Sequence, residues 1–446
     1  MQRRSSASTD SRRCIDVESG GRLSASRRIL SIFSGSVGNL VEWYDWYVYS
    51  SFSIYFAHSF FPSGNLAAQL LNTAGVFALG FLVRPVGGWL LGWYADQHGR
   101  KSALTLSVTL MCAGSLLIAL TPGYAVIGLG APVLLVLARL LQGLSVGGEY
   151  GTSATYLSEI APSARRGFYS SFQYVTLIMG QLIALAVLVI LQHWVLTSGQ
   201  LEEWGWRIPF VVGALCAVVA VLLRRGMDES EAFIATAGKR TSQRMRLLLE
   251  HPREVLTVIG LTMGGTLSFY TFTTYAQKFL VTTTGFSKED ATSIAALSLL
   301  VFTVLQPVMG WLSDLVGRRA MLLTFGICGT VFTVPLMTAL GSATTYSEAF
   351  VLVMAALVIV STYTAVSAVV KAELFPTEIR ALGVGLPYAI AVAIFGGTAE
   401  YVALWTKNAG HERWFYWYVT ACTAVSLTVY FLMRDTKRYS RIPADA

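Results

Sequence analysis

Charged side chains inside long apolar runs are the residues of this sequence that could do chemistry. Four acids and four bases lie within or at the edge of such runs: Glu42, Asp45, Glu149, Glu400, Arg84, Arg139, Arg207 and Lys371. A charge near the centre of a membrane helix costs roughly 2.5–3.5 kcal/mol, so it needs a partner or a water-filled cavity. An acid beside a base there can take up and release a proton, and an Arg can bind a carboxylate through two hydrogen bonds. These eight residues therefore mark the candidate functional site.

The elements that must position these charges are twelve apolar segments, each about 19 to 28 residues long and able to cross a bilayer as a helix. Only 13% of the 446 residues are charged and 54% are hydrophobic, whereas a soluble domain has about a quarter charged residues. The excess predicts lipid as the solvent. The segments are 30–57, 66–94, 102–121, 130–157, 168–193, 206–224, 253–281, 291–313, 320–340, 347–372, 381–406 and 413–433.

The distribution of basic residues predicts the orientation in the membrane. One set of loops carries Arg100, Lys101, Arg165, Arg166, Arg318, Arg319 and Arg380, together with a basic linker and basic tails. The opposite loops carry Lys288, with Lys278, Lys407 and Arg413 near their edges. Both termini are therefore predicted to be cytoplasmic. The net charge of +8 indicates topology and not a nucleic-acid footprint.

The predicted organisation is a tail at 1–28, six helices at 29–224, a linker at 225–252, six more helices at 253–433 and a tail at 434–446. No secretory signal is evident in the first tail, and its acids favour a disordered cytoplasmic tail over a transit peptide.

A short polar turn occurs twice, once in each half. Gly92, Asp96, Gly99, Arg100 and Lys101 have counterparts at one constant spacing: Gly310, Asp314, Gly317, Arg318 and Arg319. A second motif repeats in the same order, because Glu159, Pro162 and Arg166 match Glu373, Pro376 and Arg380. Repetition on this scale predicts two copies of one structural half and, in an apolar chain, a transporter. The charges favour a conformational latch between helices; the alternative is plain topological charge.

These motifs resemble the signature of the major facilitator superfamily. The stretches Asn39–Asp45, Arg84–Gly88, Arg139–Tyr150 and Arg166–Phe168 are similar to its metabolite–proton symporter branch. Further stretches around Gln173, Trp204–Phe210, Phe269–Tyr275, Lys371–Pro376 and Phe395–Leu404 are similar to dicarboxylate carriers of that branch. The resemblance runs from about Ser31 to Tyr418.

The resemblance implies an all-α integral membrane fold of two pseudo-symmetric six-helix bundles in the inner membrane of a bacterium. It implies proton-coupled uptake of a small dicarboxylate by alternating access, with 2-oxoglutarate first and citrate or another organic acid as the alternative. Small carboxylates, protons and the lipid bilayer are the expected partners. No cofactor, metal, nucleic acid or obligate protein partner is expected.

Proton coupling is predicted for the first and fourth helices. Glu42 and Asp45 are three residues apart and so share one helix face, and Arg139 lies at a similar depth. Related transporters pair an acid of the first helix with an Arg of the fourth, which implies an Asp45–Arg139 pair. Glu149 is a weaker candidate, since it lies roughly 80° away from the Arg139 face. A static ion pair is the alternative to a proton-coupling one.

Substrate contacts are predicted for Arg84, which is near the midplane, and for Lys371, which is shallower. Arg84 could instead tie helices together, and Lys371 could instead belong to an inner gate. Tyr270 lies on a polar stripe of the seventh helix that predicts either a watery cavity or helix–helix hydrogen bonds. Tyr275 and Gln173 are included through the family resemblance.

Other chemistries find no support in the sequence. The five His residues lie in or beside loops without metal-ligand spacing, and the five Cys residues are scattered. An enzyme is therefore not expected; an integral-membrane enzyme and a non-transporting sensor remain as alternative classes. Gly143, Gly147 and Gly151 form a ladder that allows close helix packing within the chain or a dimer face, with internal packing favoured.

Overall fold

The computed structural model describes residues 25–98, 100–147, 149–225 and 241–442, and its long elements are all helices. Each of the twelve predicted segments corresponds to one of them. They are α1 Ala25–Phe60, α2 Leu66–His98, α3 Arg100–Leu120, α4 Gly130–Glu159, α5 Ser163–Val195, α6 Ile208–Arg225, α7 Pro252–Thr284, α8 Lys288–Val316, α9 Arg318–Gly341, α10 Tyr346–Leu374, α11 Arg380–Asn408 and α12 Glu412–Leu432.

Several of these helices are long and apolar enough to cross a membrane. Nine meet that condition within the described part of the chain, and shorter apolar helices lie at Thr105–Leu120 and Gly205–Val219. Large apolar side chains such as Trp89, Leu120 and Trp417 point outward, while ionisable groups such as Asp45 and Lys371 are buried. This inverted distribution is the one that lipid solvation favours.

The sequence repeat is reproduced in the packing. In the first half α1 packs on α5, α2 on α4, and α3 on α6; in the second half α7 packs on α11, α8 on α10, and α9 on α12. The interfaces between the halves repeat as well, since α2 packs on α11 and α8 packs on α5. The chain therefore folds as two pseudo-symmetric six-helix bundles. The residue numbers proposed for the domain boundaries stay predictions; a short helix at Thr241–Leu249 lies inside the predicted linker.

The glycine ladder packs helices of one chain together. A side chain added at Gly143 would overlap the backbone of Gly80, and one at Gly147 would overlap the backbone of Arg84 and Gly88, so α4 lies directly against α2. Gly151 instead lies against Gly385 of α11, in the other half. The preference for internal packing is confirmed for these glycines.

Two helices of the second half depart from regular α geometry. In α7, π-helical turns at Thr271–Tyr275 and Leu280–Thr284 flank Ala276–Phe279, and α11 has one at Val392–Gly396. Such turns widen the helix by one residue and are frequent at functional sites. Below, the end of the bundle where α2 meets α3 and α8 meets α9 is called the loop end, and the opposite end is called the far end.

Candidate functional site

Arg84 is held inside an aromatic box on α2. Its guanidinium carbon lies 5.0 Å from the Trp43 ring, 5.1 Å from the Phe81 ring and 5.3 Å from the Trp46 ring. The side chain also interacts with Tyr270 of α7, which belongs to the other half. Cation–π contacts stabilise a guanidinium without neutralising it. Within the described part of the chain no carboxylate reaches ion-pair distance of Arg84, so the positive charge is available to an anion.

Lys371 on α10 is a second buried cation of this kind. Its ammonium nitrogen lies 2.7 Å from Ser367 Oγ, 3.2 Å from the Tyr150 hydroxyl and 4.1 Å from the centre of the Tyr388 ring. The Tyr150 and Tyr388 rings, which come from opposite halves, are stacked at 3.6 Å. Hydroxyls and ring faces are the partners of this ammonium, and among the described residues no carboxylate lies within 4 Å of it.

The two cations belong to one site. Tyr388, whose ring lies over Lys371, is also within electrostatic range of Arg84, so both cations neighbour the same side chain. Arg84 comes from the first half and Lys371 from the second. Burying two like charges without counterions is costly, and a dianion with two carboxylate groups would neutralise both. This arrangement is chemically suited to a small dicarboxylate.

A hydrogen-bonded relay connects Asp45 with Arg139. Ser115 donates to Asp45 Oδ2 at 2.7 Å, Gln142 Nε2 donates to Ser115 Oγ at 2.9 Å, and Arg139 Nη1 donates to Gln142 Oε1 at 2.7 Å. All four side chains are fully buried. In this conformation Asp45 and Arg139 are linked through the relay and not by a direct ion pair, and their role in proton coupling stays a prediction. Two neutral side chains separate the acid from the base.

Both ends of this relay keep unused hydrogen-bonding capacity. Arg139 lies 4.1 Å from the Trp46 ring and 4.5 Å from the Tyr49 ring, and its Nε and Nη2 have no partner among the described residues. Asp45 Oδ1 is likewise unpartnered in that part of the chain and lies against the backbone of Gly213 on α6. A buried carboxylate with an open lone pair and an indirect link to its cation is suited to proton binding.

The other predicted residues contact different parts of the bundle. Glu42 accepts from Ser107 of α3 at 3.1 Å, so it shares with Asp45 the face that packs on α3. Tyr270 belongs to the Arg84 box, whereas Tyr275 packs on Phe279 and Phe415 within the second half. The amide oxygen of Gln173 accepts from Ser153 of α4, one turn beyond Tyr150. The side chain of Glu149 is outside the described residues.

At the loop end, the second copy of the repeated turn contacts the first half directly. Asp314 accepts from the backbone N–H groups of Gly167 and Phe168, both at 2.9 Å, at the start of α5. A carboxylate at a helix N-terminus satisfies free donors and is favoured by the helix dipole. Arg318 Nη2 donates to Asp314 Oδ1 at 2.8 Å and holds the carboxylate in place. The latch interpretation is consistent with this contact.

Two of the remaining loop residues, Gly317 and Arg319, have a clear structural role. Gly317 has φ of +98°, a conformation that a residue with a side chain rarely adopts. Arg319 donates to the carbonyls of Tyr430 and Phe431 at the end of α12. Gly92 has open space around it. In the first copy, Gly99 and the side chains of Asp96, Arg100 and Lys101 are outside the described residues.

Among the neutral parts of the site, the sequence indicates Tyr388 of the eleventh helix only as a weaker polar candidate. Sequence reasoning missed Ser115, Gln142, Tyr150 and the rings of Trp43, Trp46 and Phe81. Gln142 had a usable signal, since it follows Arg139 by three residues and so shares its helix face. Tyr150 had none, because its stacking on Tyr388 joins helices far apart in sequence.

Comparison with known proteins agrees with the geometry of the fold. A family described as sugar (and other) transporter matches residues 32–251, and the major facilitator superfamily matches residues 256–445. The chain belongs to the major facilitator superfamily. It is a multi-pass protein of the inner membrane, and its class is that of transporters and not of enzymes.

Individual relatives make this placement more specific. The chain is 55% identical to the alpha-ketoglutarate permease of Escherichia coli (strain K12). The match extends over 416 residues, which are 93% of this chain and 96% of the relative. It is 34% identical to the citrate-proton symporter of Klebsiella pneumoniae, over 88% of this chain and 87% of the relative. The partially occluded inward-open structure of the xylose transporter XylE from E. coli matches with a TM-score of 0.72 at 20% identity, covering 92% of this chain and 98% of that one.

Proposed function

We propose that this protein imports 2-oxoglutarate together with protons by alternating access. The observation that carries the proposal is the pair of buried cations Arg84 and Lys371, each without a carboxylate partner among the described residues and both within electrostatic range of Tyr388. Two cations from opposite halves match a dianion that holds the halves together when bound. The 55% identity to an alpha-ketoglutarate permease supports the same substrate.

Proton coupling follows from the charge of the substrate. Moving one charge against a potential of 100 mV costs about 2.3 kcal/mol, so a dianion entering a negative cell faces about twice that cost. Protons that move with it offset the charge and add the pH gradient as a driving force. Asp45 is the proposed proton acceptor, and Arg139, linked to it through Ser115 and Gln142, tunes its proton affinity. Glu42 and Glu149 are the alternatives.

Citrate is the second candidate substrate, because two relatives at 34% identity are citrate-proton symporters. The count of free cations favours a dicarboxylate. Arg139, the third buried base near the site, is linked to Asp45 through Gln142 and Ser115, whereas Arg84 and Lys371 have no such link to an acid in the described part of the chain. A tricarboxylate would leave one carboxylate without a comparable partner.

The proposed orientation places the loop end and both termini in the cytoplasm. In this conformation the halves touch at both ends, with Arg84 and Lys371 almost fully buried between them. At the loop end the contacts are Asp314 with the start of α5 and an ion pair of Arg380 with Glu159. These would open for release into the cell, and the far end would open for uptake.

The test is accumulation in proteoliposomes with an acidic exterior. Labelled 2-oxoglutarate should concentrate inside, and a protonophore should abolish the concentration gradient. Unlabelled 2-oxoglutarate should compete better than citrate, and a monocarboxylate should compete weakly. Accumulation that is indifferent to the protonophore would contradict proton coupling, and stronger competition by citrate would reassign the substrate.

A further inference from the structure

A third buried charged group lies between the central site and the far end. Lys278 of α7 and Glu400 of α11 form an ion pair at 2.7 Å, and Lys278 is completely buried. The hydroxyl of Ser50 on α1 completes a triangle. It lies 2.5 Å from the Lys278 ammonium, from which it accepts, and 3.2 Å from Glu400 Oε2, to which it donates.

The three residues are divided unequally between the halves. Lys278 and Glu400 both belong to the second half, so their ion pair is internal to that half. Ser50 belongs to the first half and contributes only a neutral hydroxyl. The pair therefore contacts the first half through Ser50, and this contact is lost when the halves separate at the far end.

The irregular helical backbone around Lys278 and Glu400 supports a role in conformational change. Lys278 lies between the two π-helical turns of α7, and Glu400 follows the π-helical turn of α11 after the Gly396–Gly397 pair. Tyr49, the neighbour of Ser50, interacts with Arg139 on one side and Glu400 on the other. Tyr49 therefore neighbours both the triangle and the proton relay.

We propose that Ser50, Lys278 and Glu400 form the outer gate of the transporter, with Ser50 as the contact that holds the gate shut. This assignment rests on the transport function proposed above. An ion pair across the halves would lose its Coulomb attraction and its charge-assisted hydrogen bonds whenever the gate opened, which costs more than the two hydrogen bonds of Ser50. Because both charges belong to one half, opening the gate breaks only the hydrogen bonds of Ser50. The Lys278–Glu400 ion pair stays intact and is solvated by the water that enters the open end.

The test measures the far-end distance directly and needs no substrate. Spin labels at Ser63 and Ser347, exposed residues of the first and second halves, report the opening in a background whose five Cys are replaced by Ser. Distance distributions are recorded by double electron–electron resonance in nanodiscs. The matched control is Ser53→Ala, because the Ser53 hydroxyl is also buried but, among the residues that the structure describes, bonds only to the Ser50 carbonyl within α1.

Ser50→Ala should raise the population with the far end open by about fivefold or more, since it removes hydrogen bonds to charged groups. Ser53→Ala should match the parent protein. In a Lys278→Met/Glu400→Met background the far end should already be open, and Ser50→Ala should add nothing. Equal distributions for Ser50→Ala and Ser53→Ala would overturn the gate, as would a full Ser50→Ala effect in the double variant. Because the readout involves no substrate, an opening shift without 2-oxoglutarate transport would contradict the proposed function and leave the gate standing.

Discussion

Five of the buried bases in the described part of the chain form two groups that differ in what neutralises them; Arg139, which the relay links to Asp45, belongs to neither group. Lys278, Arg318 and Arg380 each have a carboxylate partner, and these pairs lie toward the two ends of the bundle. Arg84 and Lys371 lie between them and contact aromatic rings and hydroxyls instead. The pairs lie beside contacts between the halves, through Ser50 at the far end and through Asp314 and Glu159 at the loop end, whereas charges without a partner are left for a ligand. Bases with carboxylate partners therefore mark the gates, and Arg84 and Lys371 mark the binding site.

The largest effect is expected from removing an unpartnered cation. Arg84→Ala or Lys371→Ala should weaken 2-oxoglutarate binding at least about tenfold, because each removes a charge-assisted contact in a dry site. Binding to purified protein by isothermal titration measures this directly. Lys407→Ala is the control, since Lys407 already pairs with Glu412 near the far end. Unchanged affinity in one variant would remove that residue from the site.

A substitution in the relay should abolish proton coupling while substrate binding is retained. Asp45→Asn keeps the shape of the side chain but cannot take up the proton, so pH-driven accumulation should be lost while exchange of labelled for unlabelled substrate persists. Asp290→Asn, an exposed residue in the first turn of α8, should leave both unchanged. If the Asp45→Asn variant still concentrates substrate with normal pH dependence, the proton is carried by another acid. Glu42, Glu149 and Glu400 are then the candidates to substitute.

The close packing of α6 on the relay gives a third prediction. A methyl group at Gly213 would overlap the Asp45 carboxylate, so Gly213→Ala should destabilise the protein by about 1–3 kcal/mol and impair accumulation. Gly199→Ala is the matched control, because nothing lies within 4 Å of a side chain added there. Thermal unfolding in detergent measures the difference. Equal melting temperatures for the two variants would show that α6 can move away from Asp45.

The smallest effect is expected at the loop end. Glu159 pairs with Arg380 across the halves but is partly exposed, so its charge is screened by water. Glu159→Gln should shift the loop end toward its open form only a few-fold, measured by spin-label distances there. Glu202→Gln, which removes an exposed pair with Lys288 at the far end, should leave the loop end unchanged. A shift larger than that of Ser50→Ala at the far end would reverse the order of strength of the two gates.

Much of this architecture could be predicted from the sequence, because apolar length and the repeated turn encode helices and pseudo-symmetry locally. Membership of the family, the helix segments and the candidate charges all followed from such local patterns. The residues that the charged side chains contact did not follow from local sequence patterns. Whether Asp45 meets Arg139 directly or through Ser115 and Gln142 depends on angstrom-scale packing among α1, α3 and α4. Likewise, Lys278 looked like a loop-edge charge until the fold brought it to Glu400.

The most direct test asks whether Arg84 and Lys371 each bind one of the two carboxylates of 2-oxoglutarate. Isothermal titration compares 2-oxoglutarate with 2-oxopentanoate, which lacks the distal carboxylate, on the parent protein, Arg84→Ala and Lys371→Ala. The parent should prefer the dicarboxylate by at least about tenfold. That preference should disappear in the variant lacking the cation for the distal carboxylate, while the other variant should bind both ligands more weakly and keep the preference. An undiminished preference in both variants would contradict the assignment of Arg84 and Lys371 as the two carboxylate contacts.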